Sequence, residues 1–486
     1  MGLLDRISFN NRSQIDLPSE RTHMEVQSSR YQEEENYPFA DALSESPWAE
    51  APSEQEHHLL SNDYSALAPR PGSIEETGVS QQLLEDLLCR VLFQTGTSDT
   101  ETLTSIIGLA GPVVDQLLTF LRSDERLEVL GPQGASKGLR YSLTEAGKNY
   151  AHDCFERSGY VGPAPVSIEH YASLLKQQSV RQHTISQKDV TNAFSDLTIN
   201  ADLIGQLGSA MHSRKAVLIY GDAGTGKTYV CSRLPRLLGD SILIPHAVAV
   251  GKSIVRVHDS TIHTAAANAQ AGNPLLLKDT YDPRFALCER PFVVSGGELT
   301  GDMLEVTYDP STRQYHAPLQ LKAGNGIYLI DDLGRQKIAT AELFNRWIVP
   351  MESGTDYLNL ASGDRMIVPF DLILMFSTNL NPNDLADAAF LRRIGHKIKF
   401  NILEPHEYAQ IWSQVCTGHN IRFDQQLVDY VIDHLHKPNQ IDLLACHPRD
   451  LVGAALDYLD YMQLPRELDT NSLNLAWRTN FVKGTG

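Results

Sequence analysis

Gly221-Asp222-Ala223-Gly224-Thr225-Gly226-Lys227-Thr228 follows directly on the apolar run Ala216-Val217-Leu218-Ile219-Tyr220. The run predicts a buried parallel strand, and Thr228 opens a segment that reads as a helix. Strand, glycine-rich loop of the form G-x-x-x-x-G-K-T and helix together make a phosphate-binding loop. Gly221, Gly224 and Gly226 allow the backbone to curl so that its N–H groups point at phosphate oxygens. The helix N-terminus adds the positive end of a dipole. On this pattern residues Gly221, Asp222, Ala223, Gly224, Thr225, Gly226, Lys227 and Thr228 form the cradle. Lys227 is expected to reach the β- and γ-phosphates and Thr228 to ligate Mg²⁺.

Companions to this loop lie downstream. Gly326-Ile327-Tyr328-Leu329-Ile330-Asp331-Asp332 is an apolar strand ending in two acids, the pattern of a Walker B strand. Asp331 stands where a carboxylate holds Mg²⁺, and Asp332 where one polarises the attacking water. Phe370 to Asn379 is a second apolar strand, and a polar tip such as Asn379 beside a γ-phosphate helps orient water. Arg392 and Arg393 follow in Ala389-Phe390-Leu391-Arg392-Arg393-Ile394. Arg449 follows Cys446-His447-Pro448 at the start of an apolar helix.

This order resembles the AAA+ ATPases over roughly residues 190–465. The resemblance implies an α/β fold: a doubly wound parallel sheet followed by a small helical lid. It implies ATP and Mg²⁺ as cofactors and a ring, usually a hexamer, with ATP between subunits. By the same resemblance Asn379 looks like sensor 1 and Arg449 like sensor 2. Arg392 or Arg393 looks like the arginine finger that completes a neighbour's site. One departure stands out: the family usually has Glu where this chain has Asp332. A side chain one methylene shorter displaces its oxygen by about 1 Å, and misplacement on that scale costs about 100-fold in rate. Either turnover is slow or the backbone compensates.

Two insertions are expected to be β-hairpins. One spans Asp356 to Pro369 around Ser362-Gly363-Asp364, and its position resembles the pre-sensor-1 hairpin of the branch with MoxR-like and RuvB-like ATPases. The other spans Leu304 to Leu319 with a turn at Asp309 to Thr312, and is either a pore- or client-facing element or a surface decoration. His258, His263 and His316 lack metal-ligand spacing.

Upstream, residues 1–70 are polar and acidic, with Glu33-Glu34-Glu35, and read as a disordered tail. Residues 74–158 carry helical spacing from Gln81 to Phe93, from Thr100 to Leu109 and after Gly111-Pro112. A hairpin of Leu127–Leu130 and Leu139–Leu143 follows, and then a fourth helix from Thr144. This order resembles a winged helix, an α+β domain. Asp115 and Asp124 against Arg122 make its third helix acidic, which favours protein docking over DNA reading. Residues 159–190 read as a linker, 191–403 as the nucleotide-binding domain, 404–465 as the lid and 466–486 as a tail.

The net charge of −19 over 486 residues argues against broad nucleic-acid binding, which depends on Lys and Arg neutralising phosphates. Six scattered cysteines without a C-x-x-C read as reduced thiols of a cytoplasmic protein. No apolar run reaches the roughly 18–20 residues of a membrane span. The leading expectation is a ring-forming ATPase that remodels a protein client, brought by a client or adaptor contact of the N-terminal third. The alternatives are a nucleic-acid motor, loader or regulator and a slow nucleotide-controlled scaffold.

Overall fold

The computed structural model describes residues 64–131, 138–182, 184–267, 281–385 and 388–481. The acidic tail expected over 1–70 falls almost wholly outside them, as do most of the Gly131–Gly138 link and the last five residues.

Apolar residues at helical spacing form α1 (Gln81–Thr95), α2 (Thr100–Ile107) and α3 (Gly111–Ser123). Pro112 lies in the first turn of α3, where its missing N–H leaves no bond unmade. Strands β1 (Thr97–Asp99), β2 (Leu127–Leu130) and β3 (Arg140–Leu143) pair antiparallel in the order β1-β3-β2. Helix α4 (Glu145–Arg157) closes the unit, its Thr144 cap accepting the Gly147 N–H. Leu84, Leu88, Val91, Leu117 and Leu121 are buried together in its core.

Residues 159–190, expected to be a linker with one short helix, contain such a helix and pack against the rest of the chain. Val166–Ser167 is a strand, β4, and α5 (Ile168–Gln177) buries Tyr171, Leu174 and Leu175. The Gly and Pro residues sit where the chain turns against its neighbours. The Gly159 N–H donates to the Arg313 carbonyl at 3.0 Å and the Ala164 N–H to the Ile107 carbonyl at 2.7 Å.

The chain continues through α6 (Ala201–Ser213), β5 (Val217–Tyr220) and α7 (Lys227–Cys231). Next come β6 (Ser241–Pro245), β7 (Ala247–Val250), β8 (Ser253–Arg256), β9 (Phe285–Glu289) and β10 (Phe292–Ser295). The hairpin β11 (Thr307–Asp309) and β12 (Gln314–His316) precedes β13 (Ile327–Ile330) and α8 (Thr340–Ser353). A second hairpin, β14 (Thr355–Asn359) and β15 (Arg365–Pro369), precedes β16 (Ile373–Thr378), α9 (Ala388–Arg393) and β17 (His396–Lys399). Helices α10 (Pro405–Gly418), α11 (His447–Tyr461) and α12 (Thr470–Asn480) belong to the C-terminal region.

Five strands make one parallel sheet in the order β10-β13-β16-β5-β17. All four residues of β13 and all six of β16 are buried, as a strand covered on both faces requires. Val217 and Ile219 of β5 pack with Leu207 and Met211 of α6 and Val230 of α7. Leu218, between them, packs on the other face with Phe344 and Trp347 of α8 and Phe390 of α9. The sheet is therefore doubly wound, and the fold is α/β with a helical C-terminal region.

A second five-stranded sheet, β11-β12-β8-β7-β4, forms its own layer, with β6 paired to β9. Leu358, Met366 and Val368 of the β14–β15 hairpin pack into its core beside Val248 and Val255. The β11–β12 hairpin lies where the sequence places one, within Leu304 to Leu319, but the sheet it joins is assembled from strands distant in sequence. The tip of the β11–β12 hairpin grips the N-terminal unit: Arg313 donates to the Phe155 carbonyl at 3.3 Å and pairs with Glu156 at 3.0 Å. Arg284, fully buried with Asp282 at 2.8 Å, donates to the carbonyls of Thr77 and Pro165. These contacts join the N-terminal unit and the second sheet.

The C-terminal segment is not a tail after residue 465. Helix α12 buries Leu473, Ala476 and Trp477 against α11, and Trp477 stacks on Phe481 at 3.9 Å. Its remaining residues are mostly Asn, Thr and Ser, so only one narrow apolar stripe marked it in the sequence. Trp477→Ala is expected to destabilise this region by about 3–5 kcal/mol. A lowered urea midpoint for the helical region checks this, and an unchanged midpoint would make α12 dispensable. No single described helix is long and apolar enough to cross a membrane.

Candidate functional site

Strands β5, β13 and β16 run parallel, so their carboxyl ends open on one edge of the sheet. In open α/β sheets that edge is where ligands bind. It collects the 221–228 loop after β5, the Asp331-Asp332 pair after β13 and Asn379 after β16.

The loop takes backbone angles open to glycine: φ is 84° at Gly224 and 89° at Gly226. Lys227 is 6% exposed. Its Nζ donates to the Gly221 carbonyl at 2.9 Å, the Asp222 carbonyl at 2.8 Å and Asn379 Oδ1 at 2.6 Å. Burial lowers the Lys227 pKa, and the nearby Asp331, Asp332 and Asp222 oppose that shift. Thr228 Oγ1 donates to Asp331 Oδ2 at 2.7 Å. The Asn379 amide faces both ways, since its Nδ2 donates to Asp332 Oδ1 at 3.1 Å. One amide thus links the buried cation to the second acid.

Asp332 adopts φ 48°, in the left-handed region that a non-glycine residue rarely occupies. Its N–H donates to Asp331 Oδ1 at 2.9 Å. The next residue, Leu333, is anchored from both sides by β16: its N–H donates to the Ser377 carbonyl at 2.7 Å and its carbonyl accepts from Thr378 Oγ1 at 2.9 Å.

The three arginines singled out in the sequence are not hydrogen-bonded or ion-paired to Lys227, Thr228, Asp331, Asp332 or Asn379. Arg393 is tied to Glu352 of α8 and donates to the Ala389 carbonyl at 2.9 Å. Arg392 beside it is exposed, with no hydrogen bond or ion pair among the described residues. Arg449 lies in the first turn of α11 with a side chain 74% exposed, 3.7 Å from Asp450. The segment just before it touches the loop directly. The Cys446 N–H donates to the Gly224 carbonyl at 3.1 Å, and a Cβ on Gly224 would lie 2.6 Å from Cys446 Sγ. The helical C-terminal region is therefore seated on the phosphate loop, three residues before Arg449.

Sequence reading did not find the cavity beside the loop. About 270 Å³ is enclosed between the start of α6, the loop, the end of β17 and α10. Ile199, Leu203, Val230, Leu403 and Ile411 make its apolar wall, and Asn200, Asp202 and Glu407 lie at polar positions. Thr225, Gly226 and Tyr229 open it toward the loop, and Ala445 closes it from the C-terminal region. These residues come from five separate segments, and no local spacing connects them. Asn200, the α6 cap whose Oδ1 accepts the Leu203 N–H at 2.8 Å, was the one legible signal, and it marks a helix start.

Residues 404–479 match a sequence family described as a domain of unknown function, DUF8689. That span includes α10, α11 and nearly all of α12. No curated protein matches the chain in sequence. Among solved structures, the chain is similar to the Thermotoga maritima RuvB Holliday junction branch migration motor, at 14% identity and a TM-score of 0.31, over 62% of this chain and 72% of that one. It is also similar to domain III of the Thermotoga maritima replication initiation protein DnaA, at 12% identity and a TM-score of 0.33, over 60% and 96%. NtrX from Brucella abortus is similar at 12% identity and a TM-score of 0.28, over 52% and 47%. None of these likenesses bears on the chemistry of the site.

Proposed function

We infer that this chain is an AAA+ ATPase that binds Mg-ATP at the carboxyl edge of its parallel sheet and hydrolyses it. One observation carries the reading: Lys227, Thr228, Asp331, Asp332 and Asn379, from three segments, converge there in a single hydrogen-bonded chain. Lys227 and the loop N–H groups hold the phosphates. The cavity beside Tyr229 and Leu403 takes the base and sugar. Thr228 Oγ1 and Asp331 Oδ2, 2.7 Å apart, form the hard-oxygen pair that suits Mg²⁺. Bound there with the nucleotide, Mg²⁺ neutralises charge developing on the phosphates. Asp332 polarises the attacking water, and Asn379 holds that carboxylate in place relative to Lys227.

The chain acts as a ring, with Arg392 of one subunit reaching the phosphates bound by the next, and its work is remodelling a protein client. Two observations favour a protein over DNA at the N-terminal unit. The exposed residues of α3 include Asp115, Gln116, Thr119 and one base, Arg122. The turn that leads into its N-terminus, beside the part that reads bases in helix-turn-helix proteins, is held by this chain itself. Arg70 donates to the Leu109 carbonyl at 2.9 Å, and Gly108 packs on Pro283.

The test is capture with Asp332→Asn, which is expected to hold Mg-ATP without turning it over. A protein recovered with ATP but not with ADP, and unaffected by nuclease, supports the remodeller. Recovery that disappears with nuclease moves the activity to nucleic acid.

A further inference from the structure

We propose that Gln336 is a positioning residue that fixes the Asp332 carboxylate for the hydrolytic step, compensating for the shorter acid at that place. The inference rests on the reading of Asp332 as the group that polarises water.

Asp332 is held at φ 48°, and Gly334 two residues on is at φ 105°. A left-handed non-glycine residue is strained and persists where its surroundings over-determine it. Here one side chain does much of that. Gln336 Nε2 donates to the Asp331 carbonyl at 2.8 Å and to the Asp332 carbonyl at 3.2 Å. Gln336 Oε1 accepts the Gly334 N–H at 2.8 Å. Nε2 also reaches the Gly296 carbonyl, at 3.4 Å, at the tip of the neighbouring strand β10. Three positions of one turn, and the adjacent strand end, are thus gathered on a single amide.

Only an uncharged amide of this length serves. It needs two donor hydrogens for the carbonyls and an acceptor for the N–H. Glu lacks the donors and adds a charge beside two carboxylates, whereas Leu or Met can do neither. Two local bonds share the Asp332 backbone with Gln336: the Asp332 N–H donates to Asp331 Oδ1 at 2.9 Å and the Asp332 carbonyl accepts the Arg335 N–H at 3.0 Å. Both lie within the turn; β16 fixes Leu333, Asn379 meets the tip of the Asp332 carboxylate, and Gln336 is the side chain that ties the turn to the end of β10. Without Gln336 the turn keeps only those local bonds and loses its tie to β10, so the backbone under Asp332 can shift and carry the carboxylate with it. A displacement near 1 Å costs about 100-fold in rate.

The experiment compares Gln336→Met, Gln336→Ala, Asp332→Asn and Asp332→Asn/Gln336→Met in full-length protein. Each is measured for ATP affinity and for kcat and KM of phosphate release. The expected result is a kcat lower by about 10–100-fold in both Gln336 variants with ATP affinity unchanged. In the Asp332→Asn background, Gln336→Met should then add less than about 2-fold, because the group it positions is already gone. Wild-type kcat in Gln336→Met overturns the proposal. So does a loss that multiplies undiminished onto Asp332→Asn, or a loss of ATP affinity, since either would make Gln336 a support of the site as a whole. If Asp332→Asn itself turns over normally, the reading of Asp332 has failed. If Asp332→Asn is slow and Gln336→Met is fast, only the present inference has.

Discussion

Lys227→Ala is expected to abolish both nucleotide binding and turnover. The Lys227 ammonium is nearly buried and held by the oxygens of Gly221, Asp222 and Asn379, so it is already placed where phosphates would meet it. Asp222, Asp331 and Asp332 surround it and act on its charge. Alanine would remove the ammonium from among three carboxylates that lie near the polyphosphate. A single hydrogen bond to a charged group is worth about 1.5–3 kcal/mol, so its loss alone weakens binding by about 10–100-fold, and the unbalanced acids add to that. Calorimetric titration of Mg-ATP into the variant checks this. Heat and affinity equal to wild type would remove the site from this loop.

Arg392→Ala is expected to cut turnover by about 10³-fold or more with little change in ATP affinity, and Arg393→Ala much less. An arginine delivered to a transferring phosphoryl group is worth about 10³–10⁵ in rate. The two neighbours differ in what they already hold. Arg393 is occupied by Glu352 and by the Ala389 carbonyl, and to act elsewhere it would first have to leave both. Arg392 is exposed and makes no such bond among the described residues. Local bonding therefore favours Arg392 in the pair that the sequence left even. Mixing gives a second reading. Lys227→Ala chains keep Arg392 but have no site, whereas Arg392→Ala chains keep the site but have no finger. Phosphate release that appears only on mixing supports delivery between subunits. No recovery on mixing, or a larger defect in Arg393→Ala, counts against it.

The sequence disclosed what depends on contiguous residues. The 221–228 loop, the strand ending in Asp331-Asp332 and the strand before Asn379 each carry their signal within about ten residues, and a buried parallel strand is a short apolar run. The order of the five parallel strands and the meeting of their tips were implied only through the AAA+ resemblance. The β11–β12 hairpin was legible from its turn at Asp309 to Thr312, but its membership of a five-stranded sheet was not, because β12 pairs with β8 and β4 with β7 across long stretches of sequence. The linker reading with its one short helix did not show the packing of that segment, because glycine and proline mark a turn without saying whether the turn is packed. At Gly159 and Ala164 it is packed, against residues more than fifty positions away. Residues 466–486 read as a tail because the cluster that Trp477 joins, with Leu451 and Leu456, lies on another helix. Gln336 carried no signal, because its role is defined by the backbone angle of Asp332 and not by residue type.

The Asp332 question also decides how the site is used. A shortened acid on a relaxed strand end would make a nucleotide switch. The same acid on a left-handed turn, tied by Gln336 and faced by Asn379, is the arrangement on which we propose a working catalyst.

Steady-state phosphate release by the purified full-length chain with Mg-ATP, set against Asp332→Asn, tests this most directly. The account predicts sustained release by wild type and a fall of about 100-fold or more in the variant, in the range of a lost general base, while ATP affinity is retained. Equal release from both proteins, or none from wild type under conditions where it binds ATP and assembles, would contradict it.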